Sequence, residues 1–319
     1  MIPILTVIIS FFLAMNMGAS GFSISFAPSY GCGIIKKKKA VFLYTIFVLL
    51  GAVLIGPKVL ETLTTKLVNG FDNHASGIII LLSASLTMFL ANILKIPQST
   101  SFVTVGAFTG AGLYYKNVNL SKLGEIFFIA ILFSAMAFCI TYALMKNFYP
   151  PSDKNFRAYE KFAANNKLVK NFILSTDCYS AFAVGTNNVA NVVAPVIIAG
   201  FVVNSFWLLL FFAPFFGLGS FLLGRGVINT VSKEIVPLGE ISAMIISLIT
   251  SSFVIIASFL GLPTPYVQFT TFAVLGVSAI KDGIYYTTKK SVVKKVLLVW
   301  LIVPIIAIIL SYCLHKIFV

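Results

Sequence analysis

Acid–base and metal chemistry has little to work with in this chain. Its 319 residues include nine Asp and Glu, two His and four Cys. His74 and His315 stand alone, and Cys32, Cys139, Cys178 and Cys313 are dispersed without metal or redox spacing. No metal site and no cofactor is expected. No cluster of catalytic residue types can be assembled, so the chain is not expected to be an enzyme and no residue takes a catalytic role. Charge is scarce too. Only 10% of residues are charged and 59% are hydrophobic, with a mean hydropathy of +1.01. Those values exclude a soluble domain and indicate an integral membrane protein in a lipid bilayer. No basic residue precedes the first apolar run, which argues against a cleavable secretory signal.

Ten hydrophobic segments can be read, at 2–15 (continuing to 30), 40–56, 77–94, 102–115, 126–145, 172–199, 206–223, 238–260, 266–287 and 296–314. Several fall short of the ~20 residues of a simple span. Segment 102–115 suits a re-entrant hairpin. The formal net charge is +14, which raises the question of nucleic acid. Placement answers it. If the segments alternate, the odd-numbered loops hold 18 of the 23 Lys and Arg. Cytoplasmic loops carry such an excess, so the odd loops lie inside and both termini outside. The basic residues set topology near anionic headgroups, and no nucleic acid partner is expected. A cell (plasma) membrane location follows as the expectation.

One pattern occurs twice. Gly18-Ala19-Ser20-Gly21 leads to Ala27-Pro28, and Gly185-Thr186-Asn187-Asn188 leads to Ala194-Pro195, 167 positions later. The likeness continues. Leu50-Gly51-Ala52-Val53-Leu54-Ile55-Gly56 matches Leu218-Gly219-Ser220-Phe221-Leu222-Leu223-Gly224 at an offset of 168, and Leu94-Lys95-Ile96-Pro97 matches Leu260-Gly261-Leu262-Pro263 at 166. A near-constant offset marks an internal repeat. Each half holds five segments, and an odd number inverts the second half in the membrane. The expected fold is therefore all-α: about ten hydrophobic segments as two inverted five-segment repeats with broken helices or re-entrant hairpins. Residues 1–145 form the first repeat, 146–171 a cytoplasmic linker and 172–319 the second repeat.

Helix breakers inside a span are tolerated only where buried in protein or lining a cavity, and paired interrupted segments mark a transporter's binding site. Ser20, Ser23 and Ser25 offer hydroxyls there; Thr186, Asn187, Asn188 and Asn191 offer hydroxyl and amide groups. Gln98-Ser99-Thr100-Ser101 and Thr264-Pro265-Tyr266 follow the central prolines. Helix starts favour anions, and four of them converging would hold a small oxyanion without a buried Lys or Arg. Close packing alone does not call for Pro, Gly and three Asn within eleven residues. Asp177 and Glu240 are the coupling-ion candidates, since an intramembrane acid is a functional residue by default. Each has a bland alternative, a structural acid at Asp177 and a helix cap at Glu240. Glu125 opens the fifth segment, and Lys281 and Asp282 are expected to pair with each other.

At these residues the chain resembles the PiT family of inorganic phosphate transporters. Its signature, Gly-Ala-Asn-Asp-Val-Ala-Asn, is similar to Gly185-Thr186-Asn187-Asn188-Val189-Ala190-Asn191, with Asn188 in the Asp place. The first copy keeps only Gly18-Ala19, followed by Ser20-Gly21. The family's Pro-Val-Ser-Thr-Thr-His stretch looks like Pro97-Gln98-Ser99-Thr100-Ser101-Phe102. The resemblance implies a homodimeric symporter whose motif Asp residues bind cation and phosphate. Both are missing here, which weakens a Na⁺ site and makes H⁺ the expected coupling ion. Sulfate offers only acceptors, whereas phosphate near neutral pH keeps a proton that a carboxylate can accept. A site of donors therefore favours sulfate over phosphate. Met15-Asn16-Met17-Gly18-Ala19-Ser20-Gly21, followed by Tyr30-Gly31 and a Lys run, is also similar to the sulfate-permease branch. The expectation is a proton-coupled importer of sulfate, with a phosphate transporter (Na⁺ or H⁺ symport) and a passive anion channel as alternatives. The expected site comprises Gly18, Ser20, Ser23, Ser99, Thr100, Ser101, Gly185, Thr186, Asn187, Asn188, Asn191 and Thr264.

Overall fold

The computed structural model of the chain describes residues 2–31, 33–68, 70–71, 74–93, 98–148, 155–156, 160, 166–201, 203–223 and 239–319. The long elements among them are helical. α1 (Ile2–Gly31) is followed by α2 (Lys37–Leu54), α3 (Gly56–Glu61) and a π-helical turn at Thr62–Lys66. Next come α4 (Ala75–Ile93), α5 (Thr100–Tyr115) and α6 (Leu120–Met145). The second half holds α7 (Asn166–Ile198), α8 (Ser205–Leu223), α9 (Glu240–Phe259), α10 (Tyr266–Asp282), α11 (Ile284–Lys289) and α12 (Ser291–Phe318). Among the described residues six helices are long and apolar enough to cross a membrane, or seven if α2 and α3 form one bent span. The described residues of the segments read from the sequence are almost all helical. α5 and α10, at 16 and 17 residues, are shorter than a span. α7 begins at Asn166, inside the expected 146–171 linker, most of which lies outside the described residues.

The two motif segments are not broken. Pro28 lies inside α1 and Pro195 inside α7. An interior proline removes one helical hydrogen bond, and neighbours can supply the difference. At Pro28 that neighbour is visible: the next amide, Ser29 N–H, donates to Asp177 Oδ2 of α7 at 3.0 Å. The chain breaks instead between α2 and α3, which meet at 58° around Ile55. Gly56 and Pro57 open α3 there, and proline suits a first helical turn.

Equivalent residues of the two halves make equivalent contacts. Helices α1 and α8 cross where Gly18 faces the Phe216 backbone and Gly219 faces Met15. Helices α7 and α2 cross where Gly185 faces Val48 and Gly51 faces Phe182. Each pair maps onto the other at offsets of 167 and 168. A Cβ at any of these four glycines would collide with the facing backbone. Without a hydrophobic drive between helices in lipid, such close small-residue contact is what holds them. The helix ends agree. Gly33 (φ 70°) and Gly200 (φ 92°), again 167 apart, close α1 and α7 in left-handed turns. Gly33 N–H donates to Tyr30 C=O and Ile34 N–H to Ser29 C=O; Gly200 N–H donates to Ile197 C=O and Phe201 N–H to Val196 C=O. That is the same glycine-terminated cap twice.

Candidate functional site

Two helix starts meet the middle of α7. Ser99 precedes α5 in extended backbone, and its Oγ accepts from Phe102 N–H at 3.2 Å. This cap holds Thr100 and Ser101 in the first turn, where amides have no helical partner. On the other side, Pro265 precedes α10 and makes no side-chain cap. Thr264, just before it, is buried.

Ser101 is the hub. Its hydroxyl donates to Asn187 Oδ1 at 3.2 Å, lies 3.5 Å from Asn188 Oδ1, and accepts from Asn191 Nδ2 at 3.1 Å. Asn187 Nδ2 reaches across to α10, donating to Thr264 C=O and Oγ1, both at 3.0 Å. One side chain of α7 therefore ties the starts of α5 and α10 together. Asn191 Oδ1 and Gln98 Oε1 are buried without a hydrogen-bond partner among the described residues. The five linked residues, Ser101, Asn187, Asn188, Asn191 and Thr264, are between 0% and 4% exposed. They carry hydroxyls and amides but no charge, so any anion there would be held by dipoles alone.

Other expected site residues stand elsewhere. Gly18 and Gly185 serve the helix crossings rather than the Ser101 cluster. Thr186 turns to α9, its Oγ1 donating to Ala183 C=O at 2.8 Å and lying within hydrogen-bond distance of Ser258 Oγ at 3.0 Å. Ser23 donates to Ala19 C=O within α1 at 2.9 Å. Ser20 and Thr100 are buried beside their motifs. Among the described residues two helix starts, not four, converge on this cluster, because α1 and α7 run on through their motifs.

Asp177 is fully buried on α7, ten residues and about 15 Å below Asn187 along the helix. A chain of hydroxyls runs beside it. Ser180 Oγ bonds Ser247 Oγ and Ser251 Oγ, each at 2.8 Å, and Ser251 Oγ bonds Tyr266 Oη at 2.7 Å. Tyr266 opens α10, two residues after Thr264. Ser247 and Ser251 share one face of α9 at a spacing of four, but no local pattern joins them to Ser180 on α7. Glu240 is the first residue of α9, where the helix dipole favours a carboxylate. Glu125 is ion-paired to Lys122 at 2.7 Å. Asp282 pairs with Lys290 at 2.7 Å, not with Lys281, because the turn after α10 brings α12's start alongside. Pro97 and Arg225 lie outside the described residues. A cavity of about 650 Å³ is lined by Lys36, Lys39, Lys167 and Lys170, and by Leu174, one turn from Asp177. Among the described residues no three His, Cys, Asp or Glu are grouped as metal ligands.

The sequence pattern that defines the phosphate transporter family matches residues 17–311. The chain is 34% identical over 316 residues to the protein named Sulfate permease CysP of Bacillus subtilis (strain 168), covering 98% of this chain and 87% of that one. Its fold is similar to that of a solved structure named "The sodium-dependent phosphate transporter", with a TM-score of 0.81, 22% identity and 100% of each chain covered.

Proposed function

The chain belongs to the phosphate transporter family, a family of multi-pass membrane transporters rather than enzymes, and from that premise we propose a proton-coupled symporter that imports sulfate. The observation that carries this reading is the uncharged cluster of Ser101, Asn187, Asn188, Asn191 and Thr264. It stands where the family signature brings a carboxylate. A fully deprotonated oxyanion offers only acceptors, so it is favoured by hydroxyl and amide donors and repelled by a carboxylate. The relative named a sulfate permease supports the same choice. Ser20, Ser23, Ser99 and Thr100 complete the proposed site from the first motif and the start of α5.

Asp177 is the proposed proton carrier, with Glu240 in second place. The chain of Ser180, Ser251 and Tyr266 hydroxyls supports Asp177, since it leads from one turn above the carboxylate to the start of α10. The two halves are proposed to be inverted repeats, 1–145 and 172–319, working by alternating access. Their matched glycine crossings and caps support that arrangement. With both termini outside the plasma membrane, the lysine-lined cavity would form a basic inner mouth. The working unit is proposed to be a homodimer.

Phosphate is the second reading, favoured by the family's name and by the name of the solved neighbour, with Na⁺ as the coupling ion. Uptake of labelled sulfate and labelled phosphate into proteoliposomes tests both, under an imposed pH gradient and then a Na⁺ gradient. Concentrative sulfate uptake driven by protons is expected. Phosphate uptake driven by Na⁺ would overturn the sulfate reading, and uptake that never exceeds equilibrium would identify a channel.

A further inference from the structure

Tyr44 of α2 is fully buried, with its ring set edge-on to Phe22 and Phe26 of α1 at 5.5 and 6.3 Å. Those neighbours account for the ring but not for the hydroxyl. Tyr44 Oη has no hydrogen-bond partner among the described residues, and a buried tyrosine hydroxyl ordinarily has one.

The hydroxyl points at the first motif. A Cβ at Gly21 would stand 2.5 Å from Tyr44 Oη and 2.8 Å from Val184 Cγ1. Tyr44 Oη and Val184 Cγ1 together fill the room that a side chain at position 21 would need. The repeat pairs Gly21 with Asn188, 167 residues on, and Asn188 belongs to the Ser101 cluster. The repeat also pairs Tyr44 with Phe212, at an offset of 168, and Phe212 has no hydroxyl. Each half thus places one polar group at this position. In the second half it comes from the motif helix as the Asn188 amide. In the first half the motif helix has none, and the neighbouring helix α2 supplies a phenol.

We propose that Tyr44 is a substrate-contacting and specificity-determining residue, whose Oη–H donates to the bound oxyanion from the first-half side. This rests on the oxyanion reading above. A neutral hydroxyl gives the anion a donor where an acid at position 21 would give repulsion. It also explains why the hydroxyl has no protein partner: its acceptor is the cargo. Gly21 and Tyr44 then work as a pair, since no side chain at 21 fits while the phenol occupies that room.

The test is exchange of labelled sulfate and, in parallel, labelled phosphate by proteoliposomes holding wild type or Tyr44→Phe. The variant keeps the ring and loses only the hydroxyl. The half-saturating sulfate concentration is expected to rise about tenfold or more, the loss typical of a hydrogen bond to a charged group, with the maximal exchange rate and the melting temperature little changed. An unchanged half-saturating concentration overturns the proposal, and so does a lower rate at unchanged half-saturation, which marks a structural role. Gly21→Ala leaves Tyr44 in place and drives a Cβ at its hydroxyl; it is expected to raise the half-saturating concentration in the same direction. In a Val184→Ala background, which removes the second atom in the way, Gly21→Asp with Tyr44→Phe gives a carboxylate the vacated room, and the preference is expected to move from sulfate towards phosphate. Gly21→Asp behaving alike in that background with and without the Tyr44 hydroxyl refutes the shared space. Wild type exchanging neither anion removes the oxyanion reading and this inference with it; wild type exchanging sulfate with Tyr44→Phe unaltered removes the inference alone.

Discussion

Replacing Asp177 by Asn separates the role of its proton from the role of its oxygen. Asp177 is fully buried, and its Oδ2 accepts from Ser29 N–H of α1 at 3.0 Å. An Asn keeps a carbonyl oxygen in that place at nearly the same volume, so Ser29 retains its acceptor. The stability change is expected to stay within about 1 kcal/mol, the net worth of an ordinary hydrogen bond. Asp177→Leu, by contrast, leaves Ser29 N–H buried and unpaired, at a cost of about 1–3 kcal/mol. The transport effect is larger and of another kind. Each coupled proton is worth about 1.4 kcal/mol per pH unit, or about tenfold in accumulation. With the interior one unit more alkaline and the membrane potential clamped, wild-type proteoliposomes are expected to concentrate sulfate about tenfold per proton. Asp177→Asn is expected to reach only the outside concentration while still exchanging sulfate at equal pH. Concentrative uptake that still follows the pH gradient in this variant would refute Asp177 as the carrier. Loss of exchange in a variant that melts like wild type would move Asp177 from coupling to binding.

Asn188→Asp puts a carboxylate beside Ser101; it repels both anions, but only phosphate can donate a proton to it, and a hydrogen bond to a charged group is worth about 1.5–3 kcal/mol. The ratio of sulfate to phosphate affinity is expected to fall by about tenfold or more in competition uptake; an unaltered ratio would sink the argument from donors. Alanine at Gly18, Gly51, Gly185 or Gly219 forces the crossing helices apart, costing about 1–3 kcal/mol each, whereas Gly124→Ala enters open space. Melting curves in detergent should show four comparable losses and one near-neutral change. A loss confined to one crossing would contradict the matched packing.

Part of this protein is written in its composition and spacing. Few charges and long apolar runs specify the bilayer as solvent, because each face of a helix must match what it meets. The repeat is readable for the same reason: both halves solve the same packing problem with glycine at the same points. Asn187, Asn188 and Asn191 are legible as residues with partners across helices because an amide at membrane depth needs one, and Ser101 stands out because it falls in the first turn after a proline-led start. Other features depend on neighbours that no local pattern names. Pro28 lies inside an unbroken helix, and the amide beside it finds its acceptor on Asp177, 149 residues after the proline. Gly18 and Gly185 look like site residues in the motif, yet their missing side chains make room for the backbones of α8 and α2. The chain of Ser180, Ser251 and Tyr266 exists only where α7, α9 and the start of α10 converge. The same holds at Gly21, where the sequence shows a missing side chain and only the packing of α2 against α1 shows the Tyr44 hydroxyl that takes its room. Hydropathy and spacing report the solvent around each segment; which atom fills a gap between helices is decided by the partner that arrives there.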